Sequence, residues 1–177
     1  MIDWAAISLQ HLAGFISEEL KKRGIDTVLV GGACVTIYSE NRYQSYDLDY
    51  VTYEDMRKVK KALAELGFTE KHKYFQHEGC PWVVEFVSPP VAVGNEPIRK
   101  FAHVKTPLGT ITCLLPTDSV KDRLASYYHW NDKQGLEQAV NICLEHDIDL
   151  SEVKKWSVGE AQEKKFEIFL EYLKKKC

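Results

Sequence analysis

Long apolar runs are missing from this sequence: no stretch approaches the roughly 18 residues that a membrane-spanning helix needs. Its opening segment, MIDWAAISLQHLAGF, puts no basic residues ahead of its apolar positions, so it does not read as a secretory signal. Paired cysteines are missing too. The five present, Cys34, Cys80, Cys113, Cys143 and Cys177, are scattered and odd in number, with no CxxC pair. Their spacing argues against a disulfide framework or a structural zinc site, and the expectation is free thiols in a reducing cytoplasm. Positive charge is not in excess: 23 Lys and Arg face 26 Asp and Glu, for a net charge of −3. No whole-protein field therefore draws nucleic acid, and a basic face would have to be local. Neither GxxxxGK[ST] nor GxGxxG occurs, and no Cys, His and Asp arrangement suggests a covalent nucleophile. Repeats, low-complexity tracts and flexible linkers are also lacking.

What is present is the composition of an ordinary globular chain. Its 177 residues are 45% hydrophobic and 28% charged, enough to bury a core without disulfides or a structural metal. Residues 3–23 place Trp4, Ile7, Leu12, Phe15, Ile16 and Leu20 at mostly helical spacing, and KKRG supplies the positive charge and glycine that close a helix. TVLVGG is a short β-branched run ending at Gly31 and Gly32, the pattern of a buried strand entering a tight turn. A short helix follows over 33–40, and YDLDYV then alternates as a strand does.

Residues 54–66 form an amphipathic helix, acidic at its start, with Gly67 at its end. Phe68–Lys71 and Trp82–Val87 read as strands, with His77–Pro81 a turn between strand-like pieces, and SPPVAVGNEP is the richest loop signal. His103–Lys105 and Thr110–Leu115 bracket Pro107–Gly109 as a hairpin. From Pro116 onward, residues 117–130, 134–146, 149–156 and 159–176 look helical, with Thr117 and Ser151 suited to N-caps. The expected class is α/β or α+β: a mixed sheet flanked by helices in residues 1–115, then a C-terminal helical bundle in residues 116–177.

The chemistry gathers on YDLDYV. Residues i and i+2 of a strand share a face, so Asp47 and Asp49 aim side by side while Tyr46, Leu48 and Tyr50 take the other face. Two carboxylates so placed repel unless they are solvated or bridged by a cation. A hard divalent ion such as Mg²⁺ (or Mn²⁺) is the natural bridge, because it takes oxygen ligands and is often held by one or two carboxylates plus substrate phosphates. Gly31 and Gly32, directly after a buried strand and opening a helix, let the backbone approach a phosphate. The bland alternatives are an edge strand carrying two solvated aspartates and an ordinary glycine turn.

The stretch VLVGGACVTIYSENRYQSYDLDYV, residues 28–51, resembles the nucleotidyltransferase superfamily built on a polymerase-β-like core. The pattern is a strand ending in two small residues, a short helix, then a hydrophobic-flanked D-x-[DE]. The resemblance is strongest to small bacterial nucleotidyltransferases of the antitoxin and abortive-infection type and covers residues 25–130 at most. It implies a third carboxylate on a later strand. Glu85, inside WVVEFV, is the candidate, although relatives more often carry Asp there; a salt-bridged structural acid is the competing account.

The resemblance also implies that Lys121 or Arg123 contacts the triphosphate, and Arg42, in the loop before the DxD strand, is a further phosphate candidate. A solvated helical face with a neighbouring ion pair is the alternative for that lysine and arginine. Tyr127, Tyr128, His129 and Trp130 suggest base stacking or, more simply, packing between sheet and bundle. His72, His77 and His103 show no ligand spacing. Asp132 and Gln134 suit a helix cap, and the C-terminal run FEIFLEYLKKKC suits a solvated amphipathic helix.

The implied activity is in-line transfer of a nucleoside monophosphate from a nucleoside triphosphate to a hydroxyl of RNA, protein or a small molecule. One Mg²⁺ would sit on Asp47 and Asp49 and a second would be shared with Glu85. The alternatives are an inactive binding or regulatory protein of the same fold, antitoxin-like, and a helical partner-binding protein whose DxD is incidental.

Overall fold

A computed structural model describes all 177 residues. In chain order the first half holds α1 (Leu9–Lys22), β1 (Val28–Val30), α2 (Gly32–Tyr38), β2 (Asp47–Val51), α3 (Met56–Glu65), β3 (Phe68–Lys71), β4 (Tyr74–His77) and β5 (Val83–Val87). There follow β6 (Ala92–Val93), β7 (Glu96–Pro97), β8 (Phe101–Thr106), β9 (Gly109–Leu114), α4 (Pro116–Trp130), α5 (Lys133–Glu145), α6 (Leu150–Gly159) and α7 (Glu163–Lys176). No helix is long and apolar enough to cross a membrane.

Seven strands form one mixed sheet in the order β3-β4-β5-β2-β1-β9-β8, and β6 with β7 makes a separate two-stranded ribbon. The parallel neighbours are β2 with β5 and β1 with β9; every other pairing is antiparallel. One face of the sheet is covered by α1. Tyr50 shows how: its hydroxyl donates to the Ala13 carbonyl at 2.9 Å and lies 3.2 Å from the Ser17 hydroxyl. Leu48 and Tyr50 are fully buried on that side with Leu12, Ile16 and Leu20. Burying five such side chains contributes on the order of 1.5–3 kcal/mol each, and their alternation fixes which face of β2 looks outward.

Several local expectations are corrected. The first helix begins at Leu9, because the Ser8 hydroxyl accepts from the His11 N–H and caps it there. Tyr46 precedes the strand and is exposed rather than packed with Leu48 and Tyr50. Thr117 does not cap α4: Pro116 occupies the first turn, where its missing N–H costs nothing, and Leu115 is the cap residue. Asp149, two residues before Ser151, takes the N-terminus of α6 by accepting from the Glu152 N–H. The α7 helix starts at Glu163, after a turn that places Ala161 at φ +56°. The SPPVAVGNEP loop contains the β6–β7 ribbon, which Trp156 holds by donating its indole N–H to the Val93 carbonyl.

Candidate metal and nucleotide site

Asp47 and Asp49 project from the sheet face opposite α1, and the parallel register sets Glu85 of β5 beside Asp49. One oxygen from each of the three carboxylates lies within 4.8 Å of the others. All three are half-buried. Ser45 donates its hydroxyl to Asp47 at 3.0 Å and so fixes the first carboxylate. Glu85 meets the Lys73 ammonium at 3.0 Å, from the turn between β3 and β4.

The cluster is electrostatically strained. Burial, then the neighbouring charges of Asp47 and Glu85, push the Asp49 carboxyl up to about 7, against an opposing pull from Arg123. Three acids this close need positive charge to stay ionised together. Their donor set is all oxygen, as a hard divalent cation prefers, so the residues present fit such an ion.

Gly31 stands directly against this group. Its backbone, at φ +69° and ψ −150°, lies in a region that only glycine enters readily. A Cβ there would come 2.7 Å from an Asp49 side-chain oxygen. At Gly32 a Cβ would meet the Ser45 hydroxyl at 3.1 Å and the Tyr43 ring at 3.4 Å. The turn is thus packed against Asp49 at Gly31 and against Ser45 and Tyr43 at Gly32, with little room for a side chain at either position.

Next to the acids lies a hollow of about 190 Å³ whose lining includes Val30, Val51, Val87, Val91, Leu114 and Asp122. Its floor is continuous with the acids, since Val30 pairs with Asp49 while Val51 and Val87 lie two residues beyond Asp49 and Glu85. The Val91 N–H donates to the Tyr53 hydroxyl at 3.1 Å, which holds the segment after β5 along this edge.

The basic residues singled out in the sequence divide. Arg123 is largely buried and paired with Asp122, with Gln138 3.3 Å from its guanidinium, and its charge is felt at Asp49. Lys121 is fully buried, and its ammonium is held by a separate set of acids: Glu152 at 2.6 Å, Glu96 at 3.1 Å and Asp118 at 3.5 Å. Arg42 is taken by Glu145 of α5. Tyr127 and Tyr128 are buried at the junction of the helices, where Tyr128 stacks on Trp156, while Trp130 is exposed. Asp132 caps α5 by accepting from the Gln134 N–H. His77 stacks on Trp4 at 3.7 Å between ring centres. Lys73 escaped the sequence reading; a lone lysine in a hairpin turn carries no signal until the strand pairing places it.

No family model and no curated protein matches the chain. Among solved structures it is similar to an antigenic nucleotidyltransferase-like protein from Paracoccidioides brasiliensis, with a TM-score of 0.60 at 13% identity over 78% of this chain and 76% of that one. The fold is that of the nucleotidyltransferase superfamily. The chain is also similar to the solution structure of the antibiotic-resistance factor ANT(2'')-Ia, with a TM-score of 0.51 at 14% identity over 94% of each chain.

Proposed function

We propose that this chain is a divalent-metal-dependent nucleotidyltransferase that moves a nucleoside monophosphate from a nucleoside triphosphate to a hydroxyl acceptor, forming a phosphodiester as the bond between the α and β phosphates breaks and releasing pyrophosphate and the hydroxyl proton. The observation that carries the reading is the convergence of Asp47, Asp49 and Glu85, their oxygens within 4.8 Å of one another, against a glycine turn. The α/β core of residues 1–115 carries the acids, and the helical region 116–177 supplies Arg123 beside them.

Asp47, Asp49 and Glu85 would hold the ion, Mg²⁺ or Mn²⁺, which when bound offsets phosphate charge and polarises the oxygens it touches. Each residue then has a definable task. Ser45 keeps the Asp47 carboxylate oriented by its hydrogen bond. Gly31 and Gly32 set main chain rather than side chain against the acids that would meet the polyphosphate, since a Cβ would come 2.7 Å from Asp49 at the first and 3.1 Å from Ser45 at the second. Arg123, fixed by Asp122, adds a positive field without moving. The valine-floored hollow next to Glu85 offers a place for the part of the nucleotide or acceptor that does not react. Positioning and charge neutralisation supply the rate in such a site, with no covalent intermediate on the protein. RNA, protein and small-molecule hydroxyls all fit the reading as acceptors.

Calorimetric titration with non-hydrolysable nucleoside triphosphates, with and without Mg²⁺, tests this. Binding should require the metal and should vanish in Asp47→Asn/Asp49→Asn. Equal binding by the double variant overturns the site. One observation favours a second reading, a regulatory nucleotide-binding protein of the same fold: Glu85 stands in an ion pair with Lys73. Metal-dependent binding without transfer to any acceptor would select that reading.

A further inference from the structure

Lys73 lies outside every motif, yet it touches the acid cluster. Across one face of the sheet, Tyr74, Glu85, Asp49 and Val30 form a single row of paired residues on β4, β5, β2 and β1. Lys73 immediately precedes this row. Its ammonium sits 4.9 Å above the Tyr74 ring centre and 3.0 Å from Glu85. The lysine side chain is 62% exposed and the glutamate 15%, so the cation approaches from solvent and covers an acid that faces the cluster.

The charges decide what this contact does. Three carboxylates within 4.8 Å carry too much like charge to coexist comfortably, and Lys73 is the cation on hand to offset it. A divalent ion and an ammonium compete for the same oxygens of Glu85. A polyphosphate arriving with that ion brings several negative charges of its own. The four-carbon lysine stem is flexible and exposed, so the ammonium can exchange one anion for the other without rearrangement of the strands.

We propose that Lys73 is the resident counter-cation of the site, holding Glu85 in the free protein and passing to the phosphates when metal and nucleotide load together. This rests on the metal-dependent reading above and adds a named residue and a loading order to it. The free protein would then bind a bare ion weakly and the ion–nucleotide pair well.

The test is Lys73→Met, read by two equilibrium measurements that need no turnover. The first is binding of Mn²⁺ alone, followed by the loss of its free-ion paramagnetic resonance signal. The second is binding of whichever α,β-methylene nucleoside triphosphate the wild type prefers, at saturating Mn²⁺. Removing one exposed charge near the site should tighten bare Mn²⁺ by about threefold to tenfold and weaken the nucleotide by a similar factor. Lys73→Arg, which keeps the charge, should stay within about twofold of wild type for Mn²⁺. Changes of the same sign in both measurements, or none, overturn the proposal; a merely structural lysine would not move them in opposite directions. If wild type binds neither probe, the proposed function itself fails.

Discussion

Replacing Asp49 with Asn should make the metal-free protein more stable at pH 8, although it removes a residue assigned to the site. The reason is the crowding around that carboxyl, whose titration is moved from an ordinary 3.8 to about 7 by burial and by Asp47 and Glu85. The folded state therefore resists its ionisation. The penalty is absent below 3.8, grows as pH rises toward 7, and is constant above that. At 1.36 kcal/mol per tenfold in proton affinity the ceiling is about 4 kcal/mol. Because Asp49 keeps some contact with solvent, screening reduces this to about 1–3 kcal/mol. The assay is urea unfolding in a chelator at pH 8 and at pH 4. Asp49→Asn should exceed wild type by that amount at pH 8 and match it at pH 4. Adding Mg²⁺ should stabilise wild type and leave the variant unchanged. A variant that is equal to or weaker than wild type at pH 8 would refute the claim that these acids repel one another in the fold.

Three further substitutions probe separate parts of the account. Glu85→Gln should weaken Mn²⁺ binding at least tenfold, measured calorimetrically; unchanged affinity would remove Glu85 from the site. Gly31→Ala should destabilise by about 1–3 kcal/mol in urea and lose nucleotide affinity, because φ is +69° and the added Cβ meets Asp49 at 2.7 Å. Lys121→Met should cost about 1–3 kcal/mol of stability, discounted because Glu96 and Glu152 are about half exposed. The same variant should leave nucleotide affinity within twofold, since its ammonium serves Glu96, Asp118 and Glu152 rather than the DxD acids; a large loss of affinity would place Lys121 at the phosphates instead.

What the sequence made legible was whatever follows from short-range period. The alternating YDLDYV segment contains the strand β2, and the amphipathic 54–66 segment contains α3. Pro107–Gly109 lies at the turn of the β8–β9 hairpin. Asp47 and Asp49 share a face because neighbours two apart on a strand must. What was hidden depends on contacts distant in sequence or on competition between nearby groups. Thr117 and Ser151 have the right chemistry for caps, but Pro116 and Asp149 set the helix starts earlier. Lys121 and Arg123 look alike on one helix, yet the first is held by three acids while the second pairs with Asp122, from where its charge is felt at Asp49. That Glu85 stands directly beside Asp49 follows from the β2–β5 register, and Lys73 enters only through the β4–β5 pairing.

The most direct measurement is transfer of label from each α-labelled nucleoside triphosphate, with Mg²⁺ or Mn²⁺ and a cell lysate as the acceptor source. Wild type should attach label to a discrete acceptor from at least one triphosphate, and a chelator or Asp47→Asn/Asp49→Asn should abolish it. Label attached equally well by the double variant, or with the metal removed, would contradict the account.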